Sequence, residues 1–243
     1  MQKKKTRKAR MAKSTKMVPF TTMTDLGPRP AFIKPNDRRG TEDLTKDDME
    51  MAVVKVAQAL SPELIQDDPK YIEGLKVGDL FNTLTGTNYG RGPVSFSVLR
   101  REKPYAIEYY SREAGGGIKE RDIPVGDPRR DFHGEEKPVA TLYRDYVAVL
   151  WDTRDWVILR FKSSGLKVAM RLNAYQKRLD GPCFAGKYEL TTKPDKKDKG
   201  NYMAFVVKPA GWVTDGEEYK YAEQLHESLQ GQTIVIEPDG DDL

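Results

Sequence analysis

Between Arg154 and Arg178 the chain carries seven basic side chains against one acid, Asp155. The bases are Arg154, Arg160, Lys162, Lys167, Arg171, Lys177 and Arg178, with Trp156, Phe161 and Tyr175 interleaved. Cations that follow phosphates, beside ring faces on which bases stack, are what sequence-tolerant binding of a single nucleic-acid strand requires. A second mixed stretch sets Arg100, Arg101 and Lys103 beside Tyr105, Tyr109 and Tyr110. Tyr188 and Tyr202 flank a turn that holds Lys196, Lys197 and Lys199. The candidate phosphate contacts are Arg100, Arg101, Arg160, Lys162, Arg171, Lys177 and Arg178. The candidate stacking platforms are Tyr109, Tyr110, Trp151, Trp156, Tyr175, Tyr188 and Tyr202. Strand alternation puts Trp156 and Arg160 on one face and Val157, Leu159 and Phe161 on the other. Trp156 and Arg160 are therefore expected at the surface. Each stacked base is worth roughly 1–3 kcal/mol, so two or three platforms would give useful affinity.

Other chemistry is poorly represented. The glycine-rich run Gly86-Thr87-Asn88-Tyr89-Gly90-Arg91-Gly92 lacks the Gly-Lys-Ser/Thr that a phosphate-binding loop needs, so it reads as a turn. His133 and His226 are the only histidines and Cys183 the only cysteine, too few for a standard zinc site. His226 reads as solvated beside Glu227, and Cys183 as a small apolar filler between Pro182 and Phe184. Asp122, Asp127 and Asp131 could gather magnesium for phosphodiester hydrolysis. Arg121, Arg129 and Arg130 lie among them, which weighs against a nuclease. The expectation is a protein without catalytic residues, metal or cofactor.

The two ends are oppositely charged. Residues 1–16 hold eight basic side chains and no acid, and residues 237–243 hold Glu237, Asp239, Asp241 and Asp242 with no base. The net charge is +4, so the intervening segment sums to zero (+4 − 8 + 4) and a basic surface there must come from local clustering. Such ends suit a protein that touches a polyanion and also competes with it. A single cysteine rules out a disulfide within the chain and fits a reducing cytosol. No apolar run approaches the ~20 residues that span a bilayer, and no signal-peptide pattern follows the basic start. The chain is expected to be soluble, in the cytoplasm of a host bacterium, with no membrane partner.

Residues 1–44, with four prolines and no apolar period, read as a disordered basic arm. Thr45 and Asp48 suggest a capped helix whose stripe is Met49, Val53, Val56, Ala57 and Leu60. Ser61-Pro62 starts a short helical turn. Strands are expected at Asp79–Leu84, Val94–Arg101, Tyr105–Tyr110, Tyr143–Trp151 and Trp156–Lys162, the last of them central because its apolar content is nearly continuous. A long irregular excursion runs from Gly115 to Gly134. A helix is expected over about Ser164–Asp180, a hairpin over Lys187–Lys193 and Tyr202–Lys208, and a last helix over Glu217–Leu229 with Ala222, Leu225 and Leu229 inward. Thr233–Ile236 could add a short strand. The fold class is mainly β with flanking helices (α+β). The first choice is an OB-type, partly open barrel of five to seven strands, over residues 45–236, with residues 237–243 as an acidic tail.

Certain runs resemble a known group. Asp127-Pro128-Arg129, Phe132 and Lys137-Pro138-Val139-Ala140-Thr141 before Tyr143 form one. Tyr188-Glu189-Leu190-Thr191-Thr192, Lys199-Gly200, Tyr202 and Gly211-Trp212-Val213 form another. Together, over about residues 60–225, they resemble phage-encoded single-stranded DNA-binding proteins of replication modules. That resemblance implies an OB-type fold and binding of single-stranded DNA. Some relatives carry cysteines in the loop after the third strand, but residues 111–136 have none here, so no metal is carried over. The acidic end is similar in kind to those of single-strand binders, which dock replication proteins such as polymerase or helicase. Those ends commonly finish in an aromatic residue, whereas this one finishes in Leu243. The leading expectation is a protein that coats single-stranded DNA during phage replication or recombination. The alternative is a non-catalytic transcription or polymerase accessory factor, or a virion interaction protein. If the acidic tip competes with DNA, deleting residues 237–243 should tighten binding to a single-stranded oligonucleotide; unchanged or weaker binding counts against autoinhibition.

Overall fold

The computed structural model describes residues 51–132, 138–197 and 200–230. The expected basic arm and acidic tail, the Thr45 helix cap, the Thr233–Ile236 strand and His133 lie outside these residues. The described chain is organised around one ten-stranded sheet. In chain order its strands are β1 (Val53–Val56), β2 (Leu80–Asn82), β3 (Asn88–Gly90), β4 (Val94–Arg101), β5 (Tyr105–Tyr109) and β6 (Ile118–Glu120). Then follow β7 (Ala140–Leu150), β8 (Trp156–Lys162), α1 (Leu166–Arg178), β9 (Gly186–Lys197), β10 (Gly200–Trp212) and α2 (Gly216–Ser228). The order across the sheet is β10-β9-β4-β7-β8-β1-β2-β3.

β7 is the spine. One of its edges pairs with β8 over Tyr143–Val149. The other edge pairs with β4 over Tyr146–Leu150 and with β5 over Ala140–Tyr143, so β4 and β5 lie in line. Glu102 keeps that line continuous by donating its backbone N–H to Asp145 O. β8 is central, as its apolar run predicts, with β7 on one side and β1 in parallel register on the other.

The sheet is apolar on both faces. On the inner face Phe96, Tyr146, Ala148, Leu150, Leu159 and Phe161 pack with Ala169 and Leu172 of α1. On the outer face Leu99, Val147, Val149 and Ile158 pack with Phe184 and with Ala222, Leu225 and Leu229 of α2. α2 begins at Asp215, whose carboxylate accepts from the N–H groups of Glu217 and Glu218 and satisfies the free donors of the first turn. α1 instead grows from a 3-10 turn, Ser163–Gly165, with no side-chain cap.

The sheet curls into an open half-barrel whose two ends meet through a few specific contacts. Gln58, just past β1, donates its side-chain amide to Met203 O at 2.9 Å and accepts from Met203 N at 2.9 Å. Thr192 donates its hydroxyl to Gly78 O at 2.6 Å. At Gly92 (φ +85°) a Cβ would sit 2.4 Å from Leu190 O, so only glycine lets these backbones approach. No helix among the described residues is long and apolar enough to cross a membrane.

Three expectations are corrected. Residues 53–56 form a strand, not part of a helix. Val53 and Val54 are both buried, one against each core, which a single helical stripe would not allow. The strand count is ten rather than five to seven. Besides β1, the short β3 lies inside the glycine-rich turn and β6 inside the long excursion. The β9–β10 hairpin also runs further than expected, because Pro194–Lys197 pair with Gly200–Met203.

The Gln58 bridge carries a prediction. Gln58→Ala leaves the Met203 N–H and C=O without their partner at a half-buried site. A loss of about 1–3 kcal/mol is expected. Hydrogen exchange should quicken at the Met203 amide and stay unchanged in β4; equal protection in both proteins would show that the bridge is dispensable.

Candidate nucleic-acid interface

A cleft of about 310 Å³ opens beside the Gln58–Met203 bridge. One wall is the end of β8 and the start of α1, with Lys162, Lys167 and Arg171. The other is the β9–β10 hairpin, with Lys193, Tyr202 and Phe205. Lys167, Arg171 and Lys193 are exposed and form no salt bridge among the described residues. The single acid in the lining is Asp195, whose carboxylate accepts from the Tyr202 hydroxyl at 3.0 Å. Phe205 meets Phe161 edge-on, with ring centroids 5.5 Å apart. Ser164 and Gly165 also line the cleft and bring the positive end of α1 to it. The arrangement is a concave, cation-rich wall with half-buried rings.

Of the residues singled out from sequence, Lys162, Arg171 and Tyr202 meet in this cleft. Lys177 and Arg178 are exposed on the last turn of α1, and Tyr175 is half-buried against the inner core. Tyr110 is 47% exposed and Arg101 is exposed, but both belong to the β4–β5 line rather than to the cleft walls. Arg100 binds Glu102 and the Leu229 carbonyl below α2. Tyr109 is half-buried and shares a 2.6 Å hydroxyl–hydroxyl bond with Tyr143. The expected residues therefore do not form one surface.

Several were expected exposed and are not. Arg160 is only 8% exposed, although its residue borders the cleft. Its guanidinium binds the fully buried Asp145, with Nη2–Oδ2 at 3.1 Å. Alternation did place Trp156 and Arg160 on one face, but α2 and a polar network cover that face. Trp156 is half-buried with Nε1 3.3 Å from the Tyr221 hydroxyl of α2. Trp151 is 7% exposed and donates its indole N–H to Ser97 Oγ at 3.0 Å. Tyr188 is 2% exposed and packs on Phe96. The network over Arg160 includes Tyr105, which donates to Asp145 at 2.9 Å and stacks on Tyr143 at 5.1 Å. Burial pushes the Tyr105 and Tyr143 hydroxyls well above the usual phenol range.

His226 is likewise not a solvated side chain. Its half-buried ring donates from Nδ1 to Leu99 O at 2.7 Å, accepts at Nε2 from Gln230, and packs on Phe184. Cys183 fills space beside Leu99, with Sγ 3.2 Å from its carbonyl oxygen, and burial raises its thiol pKa. Residues that the sequence reading passed over are Lys193, Phe205 and Trp212. Lys193 and Trp212 are exposed on the hairpin; Lys193 lies three residues before the first of the turn lysines, Lys196 and Lys197, which could have flagged it, whereas nothing around Trp212 does.

The long excursion is pinned by Arg129. Its guanidinium binds Asp127, Glu120 and Glu108 at 2.6–2.7 Å, and Lys119 also reaches Glu108. These hydrogen bonds hold the Glu108 and Glu120 carboxyls below the usual carboxylate range and Asp127 at about 2. Asp127, one of the three acids weighed for magnesium, is thus engaged by Arg129, while Asp122 and Asp131 are exposed. No group of His, Cys, Asp and Glu among the described residues is placed to hold a metal ion.

Fold and cleft define a β half-barrel with a basic cleft between its hairpin and its first helix. The profile of the Pam3 phage gp34-like protein family matches residues 21–235. The chain belongs to that family and is a phage protein. No curated protein and no solved structure gives a significant match.

The Arg129 cluster predicts an acid response. Carboxyls with depressed pKa values stabilise the fold above their unfolded values near 4 and lose that contribution as pH falls towards 2. Between pH 5 and 2 the amides of β6 should lose exchange protection before those of β8. Simultaneous loss, or none, would contradict this.

Proposed function

We propose that the chain is a single-stranded DNA-binding protein that coats and protects strands exposed during phage replication or recombination, in the host cytoplasm and without catalysis. The half-barrel with a helix at its mouth supports an OB-type reading of the fold. The observation that carries the proposal is the cleft, where Lys162, Lys167, Arg171 and Lys193 face one another across about 310 Å³ with one acid among the lining residues. Lys167, Arg171 and Lys193 form no salt bridge among the described residues, so no paired acid offsets their repulsion across the cleft. A polyanion threaded between them removes that repulsion and releases the counterions of its phosphates. Tyr202 and Phe205 supply ring surface for bases, each stack being worth roughly 1–3 kcal/mol.

The test is fluorescence anisotropy with a labelled single-stranded oligonucleotide between 50 and 200 mM salt. Each phosphate contact on a single strand contributes about −0.7 to the slope of log K against log salt. Three or four contacts then give a slope of about −2 to −3. The reversal Lys167→Glu/Arg171→Glu/Lys193→Glu should weaken binding at least tenfold with unchanged thermal stability, since all three side chains are exposed. If the unaltered protein fails to bind at 50 mM salt, the proposal falls, and the interaction-protein reading takes its place.

A further inference from the structure

The cations of α1 do not stop at the cleft. At 3.6 residues per turn, Lys167, Arg171 and Arg178 lie within about 40° of one another around the helix. All three are exposed, as is Ala174, the small residue between Arg171 and Arg178 on the same line. The helix contains no acidic residue, and none of these cations forms a salt bridge among the described residues. Asp180, exposed just beyond Arg178, is the first acid reached along the chain. This basic ridge runs the length of the helix, about 20 Å for thirteen residues.

At its far end stands an aromatic side chain. α1 packs alongside β10, whose first half forms the cleft wall and whose last residue is Trp212. The indole lies against Gly181, where a Cβ would sit 3.2 Å from Cζ3. A register shift between Pro209 and Gly211, with Gly211 at φ +98°, precedes it. Such bulges re-aim side chains. Trp212 is 49% exposed, whereas Trp151 is buried and Trp156 is half-buried beneath Tyr221. An exposed indole at the end of an acid-free helix has no core to serve.

We infer that the strand path leaves the cleft along the Lys167–Arg171–Arg178 ridge and ends with a base stacked on Trp212. The inference rests on the cleft reading and adds an exit, a direction and a second platform to it. At the stacked rise of about 3.4 Å per nucleotide, the 20 Å ridge, including the part that lines the cleft, corresponds to about six nucleotides. That length falls within the ~4–16 nucleotides that OB-type modules cover.

Oligothymidylates of four and twelve nucleotides separate the two sites. The longer strand should quench tryptophan emission on binding and the shorter one should not. Trp212→Phe should abolish the quench while anisotropy still reports binding. Trp212→Ala should weaken the twelve-nucleotide strand about five- to 150-fold, the worth of one stacked base, and leave the four-nucleotide strand unchanged. Arg178→Glu should do the same through the ridge. Salt-sensitive binding of both strands with no quench, and no effect of Trp212→Ala, would overturn this path and leave the cleft standing. Absence of binding by either strand would overturn both.

Discussion

Neither face of the sheet along β7 can be left in water. Tyr146, Ala148 and Leu150 point one way and Val147 and Val149 the other, and all five are buried. A half-barrel made of such strands needs a cover inside and a cover outside, and the chain supplies one helix for each. α1 closes the inner face with Ala169 and Leu172, and α2 closes the outer face with Ala222, Leu225 and Leu229. Each leucine so buried contributes about 1.5–3 kcal/mol, so the two helices are structural necessities before they serve any other purpose. Where α2 does not reach, Asp145, Arg160, Tyr105 and Tyr143 form a hydrogen-bonded polar cover. That pair is weak evidence for stability in itself, since desolvation offsets attraction, but neither partner can be removed without stranding the other's charge.

This double coverage decides which residues remain for a ligand. Rings on the strands are consumed by the two cores, which is the fate of Trp151, Tyr188 and much of Trp156. What remains exposed is the outer side of α1, the rim of the β9–β10 hairpin and the strand ends. Among the described residues, Lys167, Arg171, Arg178 and Lys193 on those elements form no salt bridge. The electrostatics of the molecule are thus written on the edges of the fold, while its aromatic content is mostly internal.

The parts of this that were legible in the sequence are those set by local pattern. β4, β5, β8, α1 and α2 have bounds within one or two residues of those expected, because turn residues punctuate clear periodic runs. Residues 53–60 read as helical from the sequence because apolar residues at i, i+4 and i+7 can satisfy a helix, while Val53-Val54-Lys55-Val56 suits a strand buried on both faces. Only the sheet partners β2 and β8 resolve that ambiguity. The candidate site was legible in its charges and not in its rings. Of the bases of residues 154–178, Lys162, Lys167, Arg171 and Arg178 lie on the cleft or the α1 ridge, while Arg160 is buried on Asp145 and Arg154 sits over Tyr221; exposure of a ring depends on whether a helix sixty residues away lies over it. Trp156 shows this directly, since its cover is Tyr221. The whole-chain alternation that sorted Trp156 from Phe161 was correct; the assumption that the second face met solvent was not.

Incomplete closure of the barrel explains where the cleft lies. A fully closed barrel has no free edge, and a fully open sheet would expose the N–H and C=O groups of β10 to pairing by another chain. Gln58 takes an intermediate course by satisfying both backbone groups of Met203 with one side-chain amide. An amide occupies less space than a strand, and the space left over, bordered by β8, α1 and the hairpin, is the cleft. Had the seam been zipped by a full ladder, Lys167 and Arg171 would face a wall of backbone rather than a groove. The cations and the opening are therefore consequences of one feature, a seam held by side chains. One wall of the groove is a hairpin held to the barrel by β4, by the Thr192 contact and the Gln58 bridge, and by Tyr188, Leu190 and Val207 in the inner core.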